Sequence, residues 1–223
     1  MSRHSNEADR IEAQMQADGH RTWGYVIYRT TYDSDADWAE FLRRLRFQMN
    51  LNMVECYNGQ DILDMFTWTI FDDPALFDGA STSTVRQHFK QWAESAFRAE
   101  QQRPGVDEEV SMGTSPRYHY CVQVDKEALK SVAHDAPPPE ELDTSGIGWV
   151  KLINKSWMLR SEDPRFHGRP LDPNVYEAIE GVTENDVGWI KCPYRSVMGE
   201  WYVLLGDLNG WVIHYRRPPT VVA

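Results

Sequence analysis

Between Trp23 and Leu45 the chain changes its hydrophobic period once, and that change limits the folds open to it. Residues 23–32 read Trp-Gly-Tyr-Val-Ile-Tyr-Arg-Thr-Thr-Tyr, a run of β-branched and aromatic side chains suited to a pleated, half-buried surface. Immediately after it, Trp38, Phe41, Leu42 and Leu45 recur at i, i+3, i+4 and i+7, the stripe of an amphipathic helix. Ser34 stands where an N-cap belongs, and Asp37 three residues on suits the positive end of the helix dipole. The chain therefore opens with a strand and a helix able to cover it.

The rest of the chain continues that alternation. Residues 1–20 read as a mobile arm, because the Ile11–Met15 stretch offers little apolar surface. Residues 21–134 form an α+β half. It has strands over 23–32, 63–71 and 117–125, and helices over 35–54, from Ser81 to about Glu100, and over 126–133. Pro137-Pro138-Pro139 marks residues 135–146 as a linker. Residues 147–223 form a β-rich half with strands at 148–153, 188–192 and 210–216 and a helix near 198–205. Gly24-Tyr25-Val26-Ile27-Tyr28-Arg29 is echoed by Gly210-Trp211-Val212-Ile213-His214-Tyr215-Arg216, which suggests two similar halves. It also fits the ordinary way a strand begins. The strands are half polar, which predicts a sheet with one covered face. The fold expected is an α+β, ferredoxin-like α/β sandwich, mostly antiparallel, with helices on one face.

Charge narrows the partners. The 223 residues carry a net charge of −11, which repels phosphate backbones, and the basic runs Arg43-Arg44 and Arg216-Arg217 are short. Nucleic acid is not an expected partner. No apolar run approaches the ~18 residues that a membrane span needs. The polar start carries no secretion signal, and three scattered cysteines, Cys56, Cys121 and Cys192, fit a reducing compartment. A cytoplasmic protein is expected.

Candidate chemistry lies on the strands. Lys151, Lys191, His214 and Arg216 project from the later strands, with Arg29 near the start. Trp149, Trp189, Trp211 and Tyr118 are placed to wall the same surface. Cations among aromatics suit a pocket for a small anionic or aromatic molecule. Alternatively, this is an ordinary solvated sheet face. Asp72 and Asp73, with His119 or His214, are the acid–base candidates for an enzyme of small-molecule metabolism. Asp-Asp-Pro is equally ordinary turn chemistry, and Asp72 is a partner for Arg29 if their strands are neighbours. A third possibility is a protein partner meeting exposed tryptophans, of which the chain has nine. No zinc-ligand spacing, phosphate loop or nucleophile elbow occurs, so no cofactor or metal is indicated.

Several stretches also carry a resemblance. Trp23 to Tyr32 with Trp38-Ala39-Glu40-Phe41, Asp78-Gly79-Ala80-Ser81, Arg117-Tyr118-His119-Tyr120-Cys121, Glu180 to Trp189, and Tyr215-Arg216-Arg217-Pro218-Pro219 together resemble a large family of uncharacterised proteins from filamentous fungi. That resemblance covers most of the chain after about residue 20. It implies a fungal intracellular protein and no particular activity. Asp72-Asp73 is also similar to the start of the Asp-Asp-x-x-Glu motif of fungal arginine-containing cyclodipeptide synthases. The glutamate of that motif is missing, since Leu76 occupies its position.

Overall fold

The computed structural model describes residues 5–102, 111–141, 146–164 and 174–222. Helix α1 (Glu7–Asp18) comes first. Asn6 and Asp9 exchange side-chain-to-backbone hydrogen bonds at its start, satisfying two otherwise open donors. Ala8, Ile11 and Met15 are buried, so the arm expected over residues 1–20 is in its described part a core helix. Its apolar stripe is one residue wide, too narrow to recognise by periodicity and wide enough to pack on a neighbour.

Strand β1 (Val26–Arg29) is buried throughout. Helix α2 (Asp35–Asn50) begins at Ser34, whose Oγ accepts from the Asp37 N–H at 3.1 Å, and it buries Trp38, Phe41 and Leu45. It widens into a π-helical segment (Leu51–Cys56), and the short α3 (Gln60–Leu63) follows. Strand β2 is only Thr69–Phe71, shorter than the 63–71 expected, because its first residues turn as helix. Then come α4 (Pro74–Phe77), α5 (Thr82–Gln101), α6 (Pro116–His119), β3 (Tyr120–Val124) and α7 (Lys126–Lys130). The chain ends with β4 (Trp149–Asn154), β5 (Trp189–Pro193), α8 (Glu200–Leu205) and α9 (Gly210–His214).

Helix α9 replaces an expected strand over 210–216. A short apolar run bounded by turn residues fits either a strand or a buried helix turn, and tertiary packing decides. Gly210 sits against the Leu204 carbonyl oxygen, where an added Cβ would lie 2.1 Å away, so the α8–α9 turn needs a glycine there. The echo between residues 24–29 and 210–216 is therefore one of sequence alone: one copy is strand, the other mostly helix.

The sheet has the order β2-β1-β3-β4-β5. Strands β2, β1 and β3 run parallel, while β3, β4 and β5 pair antiparallel. The sheet is thus mixed, not mostly antiparallel. Helices cover both faces, not one. Ile27, Val122, Val124, Val150, Leu152 and Ile190 pack on a first face beneath α1, α2, α7, α8 and α9. Val26, Tyr28, Cys121, Ile153 and Trp189 pack on the second face with Phe77, Val85 and Phe89 of α4 and α5. Tyr28 and Cys121 look semi-polar in sequence, yet both are fully buried.

The later strands join the same sheet, so the part after the prolines completes the first half. The proline segment is strapped down: Arg44 donates to the Ala136 and Pro137 carbonyls, and Gln48 donates to that of Pro139 at 2.7 Å. The open side of β5 is covered near the C-terminus, where the Val222 N–H donates to the Lys191 carbonyl at 2.9 Å.

Candidate functional site

From β1 the chain crosses the first face through α2 to β2. It then crosses the second face through α5 to β3, on the far side of β1. The direction of travel across the sheet reverses at β1, and a parallel unit must change faces to keep its hand. Loops at the carboxyl ends of strands around such a reversal leave a crevice between them. A cleft of about 350 Å³ lies there. Thr30, Thr31 and Asp33 enter it from the end of β1, and Gln123, Asp125 and Lys126 from the end of β3. The loop Asp78–Ser81 and the first residue of α5 form its third side. Lys151 of β4 and Glu180 complete the lining.

A polar network forms one wall. The Gln123 amide donates to Thr30 Oγ1 at 3.2 Å and to the Ala80 carbonyl at 2.9 Å. Thr82 Oγ1 donates to Glu180 Oε1 at 2.7 Å and lies 3.2 Å from the Gln123 carbonyl oxygen. Lys151 Nζ sits between Asp125 Oδ2 at 2.9 Å and Glu180 Oε1 at 3.2 Å. Burial pulls the Lys151 pKa down, but Asp125 and then Glu180 outweigh it and hold the group above the ordinary lysine value. Lys151 is thus a fully charged strut, unsuited to act as a neutral nucleophile. At the rim, Lys126 Nζ meets Asp33 Oδ2 at 2.6 Å.

Glu180 reaches the cleft from an unusual backbone. Ile179 and Val182 exchange hydrogen bonds of 3.0 and 2.9 Å, closing a two-residue turn in which Glu180 and Gly181 have φ values of 50° and 83°. Glycine suits that geometry, whereas a side chain at such a position costs about 1 kcal/mol. The turn is held from the far end of the chain. Arg217 donates to the carbonyls of Glu177 at 2.6 Å, Val182 at 3.3 Å, Asn185 at 3.1 Å and Glu184. Tyr215 Oη donates to the Asn185 carbonyl at 2.8 Å and accepts from the Val187 N–H at 3.0 Å.

The candidates named from sequence fall in four places. Lys151 lines the cleft. Lys191 lies opposite it in register, and the two pair crosswise with tryptophans. Lys151 Nζ is 4.4 Å from the centre of the Trp189 ring, and Lys191 Nζ is 3.7 Å from that of Trp149. These four share one face, but the rings are partners of the lysines and do not line the cleft.

Arg29 is buried beside the cleft. It donates to the Thr31 carbonyl, contacts Asp35 at 2.6 Å and Asp72 at 3.5 Å, and lies over the rings of Tyr32 and Trp38. It is a clamp, and Asp72 is its partner. Asp73 caps α4 through the Ala75 N–H.

The rest are elsewhere. Tyr118 and His119 precede β3 at the opposite end of the parallel strands. The Tyr118 hydroxyl donates to Glu100 at 2.6 Å, and His119 Nε2 meets the Gly113 carbonyl at 3.0 Å. Trp211 stacks on Tyr120 and donates to Asp186, and His214 lies edge-on to Trp201. Arg216 donates to the carbonyls of Ile213 and Tyr215. The proposed acid–base pairs are therefore separated: Asp72 and Asp73 follow β2 at one end of the sheet, His119 precedes β3 at the other, and His214 lies on α9.

Asp33, Asp78, Asp125, Thr82, Glu180 and the distant Arg217 did not emerge as site residues from sequence. The only local hint is an acid–glycine pair at Asp78-Gly79 and again at Glu180-Gly181, both of which reach the cleft. Among the described residues, no group of three or more His, Cys, Asp or Glu side chains is placed to hold a metal ion. No described helix is long and apolar enough to cross a membrane. The large apolar side chains exposed among the described residues, such as Leu208 and Val212, are aliphatic or Met, and no tryptophan is among them. Compared with protein-family models, with curated proteins and with solved structures, the chain matches none.

Proposed function

We propose that the protein is a binding module for a small polar molecule, held in the cleft at the carboxyl ends of β1 and β3. One observation carries this reading: a concave site lies where the strand order reverses, lined by polar groups from five separate stretches of chain. That is where open sheets with crossover helices take their ligands. Its volume of about 350 Å³ suits a molecule of metabolite size. Binding is favoured over catalysis because Lys151 is neutralised in place and the Asp and His candidates do not converge. The sequence expectation of an anionic guest is not favoured by the lining, which holds Asp33, Asp78, Asp125 and Glu180 against Lys126 and Lys151.

The test is a thermal-shift screen against a metabolite library with wild type, Asp78→Trp, Lys191→Ala and His214→Ala. Asp78 is exposed and its carboxylate has no partner among the described residues, so tryptophan there obstructs the mouth without disturbing the core. Hits are expected to shift wild type, Lys191→Ala and His214→Ala alike and to lose their effect on Asp78→Trp. Hits that shift Asp78→Trp as much as wild type would remove the cleft as the site.

A further inference from the structure

Resting on the reading of the cleft as a binding site, we infer that its ligand class is a small organic cation carrying ammonium or guanidinium groups. The ligand class follows from which groups of the lining remain free to bind. Both lysines of the lining are already taken, Lys126 by Asp33 and Lys151 by Asp125 and Glu180. An incoming anion would meet four carboxylates and no unpaired cation within the lining. In the first turn of α5, the Thr84 N–H is already taken by Ser81 Oγ at 3.1 Å.

What remains open is acceptor capacity. Asp78 makes no side-chain hydrogen bond or ion pair among the described residues. Both polar contacts of Glu180 use Oε1, which leaves Oε2 as an acceptor. Thr31 lines the cleft and is only 6% exposed as a residue, and its hydroxyl makes no side-chain hydrogen bond among the described residues. That oxygen is not sealed from solvent, so a ligand in the cleft can bond it in place of water. Two carboxylates and an unpartnered hydroxyl, in a chain of net charge −11, suit a donor-rich cation.

Isothermal titration calorimetry at low ionic strength tests this with four probes: agmatine, spermidine, glucose and ribose 5-phosphate. The proteins are wild type, Asp78→Asn, Thr31→Val and Asp78→Trp. Agmatine or spermidine is expected to bind wild type, to weaken at least about tenfold in Asp78→Asn, and to weaken further with added salt. Thr31→Val is expected to weaken the same probe while keeping the wild-type melting temperature. Absence of binding by both cations overturns the inference, as does equal affinity for wild type and Asp78→Asn. Ribose 5-phosphate that binds wild type and not Asp78→Trp also overturns the inference, but leaves the cleft standing as a binding site. Cations that bind Asp78→Trp as well as wild type bring down both.

Discussion

Removal of the Arg117 side chain perturbs this fold at its most concentrated polar joint. The guanidinium is fully buried, and its partner Glu100 is 24% exposed. It donates to Glu100 at 2.8 and 2.7 Å, to the Gly24 carbonyl at 2.8 Å and to Thr69 Oγ1 at 2.7 Å. One side chain therefore ties the last turn of α5 to the backbone just before β1 and to the first residue of β2. Arg117→Met keeps much of the volume and removes every donor. The Glu100 carboxylate then retains the Tyr118 hydroxyl, while the Gly24 carbonyl loses its side-chain partner. Breaking a buried pair from one side costs about 3–5 kcal/mol, a large share of the ~5–15 kcal/mol that holds a domain together. For a chain of this size that is a fall of about 6–20 °C in melting temperature.

The measurement is urea unfolding followed by tryptophan fluorescence, with calorimetry beside it. The double variant Arg117→Met/Glu100→Leu is expected to recover more than half of the loss, because no stranded charge remains. The pH profile carries a second signature. Burial pushes the Glu100 carboxyl up, but bonds from Arg117 and Tyr118 outweigh it and hold it below its ordinary value. Wild type thus draws stability from Glu100 above the ordinary carboxylate pKa, and loses it as pH falls through the lowered folded value. In Arg117→Met, burial dominates and the carboxyl titrates high, so the gap to wild type should narrow as pH falls from 8 toward about 4. A loss below about 1 kcal/mol, or additive losses in the double variant, would refute the reasoning.

Three further outcomes are expected. Ile11→Ala should cost about 3 kcal/mol in denaturant unfolding, because Ile11 is 1% exposed within α1, whereas a mobile arm would show no loss. Arg217→Ala should raise backbone hydrogen exchange across residues 176–187 with little change elsewhere, since its bonds hold that turn from outside the sheet. His119 is depressed below the ordinary imidazole value, chiefly by burial and then by Lys155, with Asp18 and His20 also facing it. The neutral form is therefore favoured in the fold. Stability is complete above about pH 6.5 and falls as pH drops through that value toward the depressed one. His119→Gln keeps a donor for the Gly113 carbonyl and should flatten that acid limb in melting curves taken from pH 8 to 5.

Much of the local architecture was legible in the residues. The strand at Val26–Arg29, the Ser34 cap, the buried stripe Trp38–Phe41–Leu45 and the Ser81 start of α5 all follow from period and cap chemistry, which act within a few residues. The pairing of Arg29 with Asp72 was one of two readings, and neighbouring strands selected it. What local pattern left open was long-range. Short apolar runs did not distinguish α9 from a strand, nor did a narrow stripe reveal α1 as part of the core. Parallel pairing of β1 with both β2 and β3 depends on where α2 and α5 pack, and no single segment encodes that.

The cleft is the clearest case. Thr31, Asp78, Asp125, Lys151 and Glu180 come from five stretches spread over most of the chain, and of these Lys151 alone was marked as a site residue by its local sequence. Hydrophobic period and caps act between neighbours in sequence and set the elements. Only the packing of those elements into one mixed sheet gathered these side chains and set the charge they present.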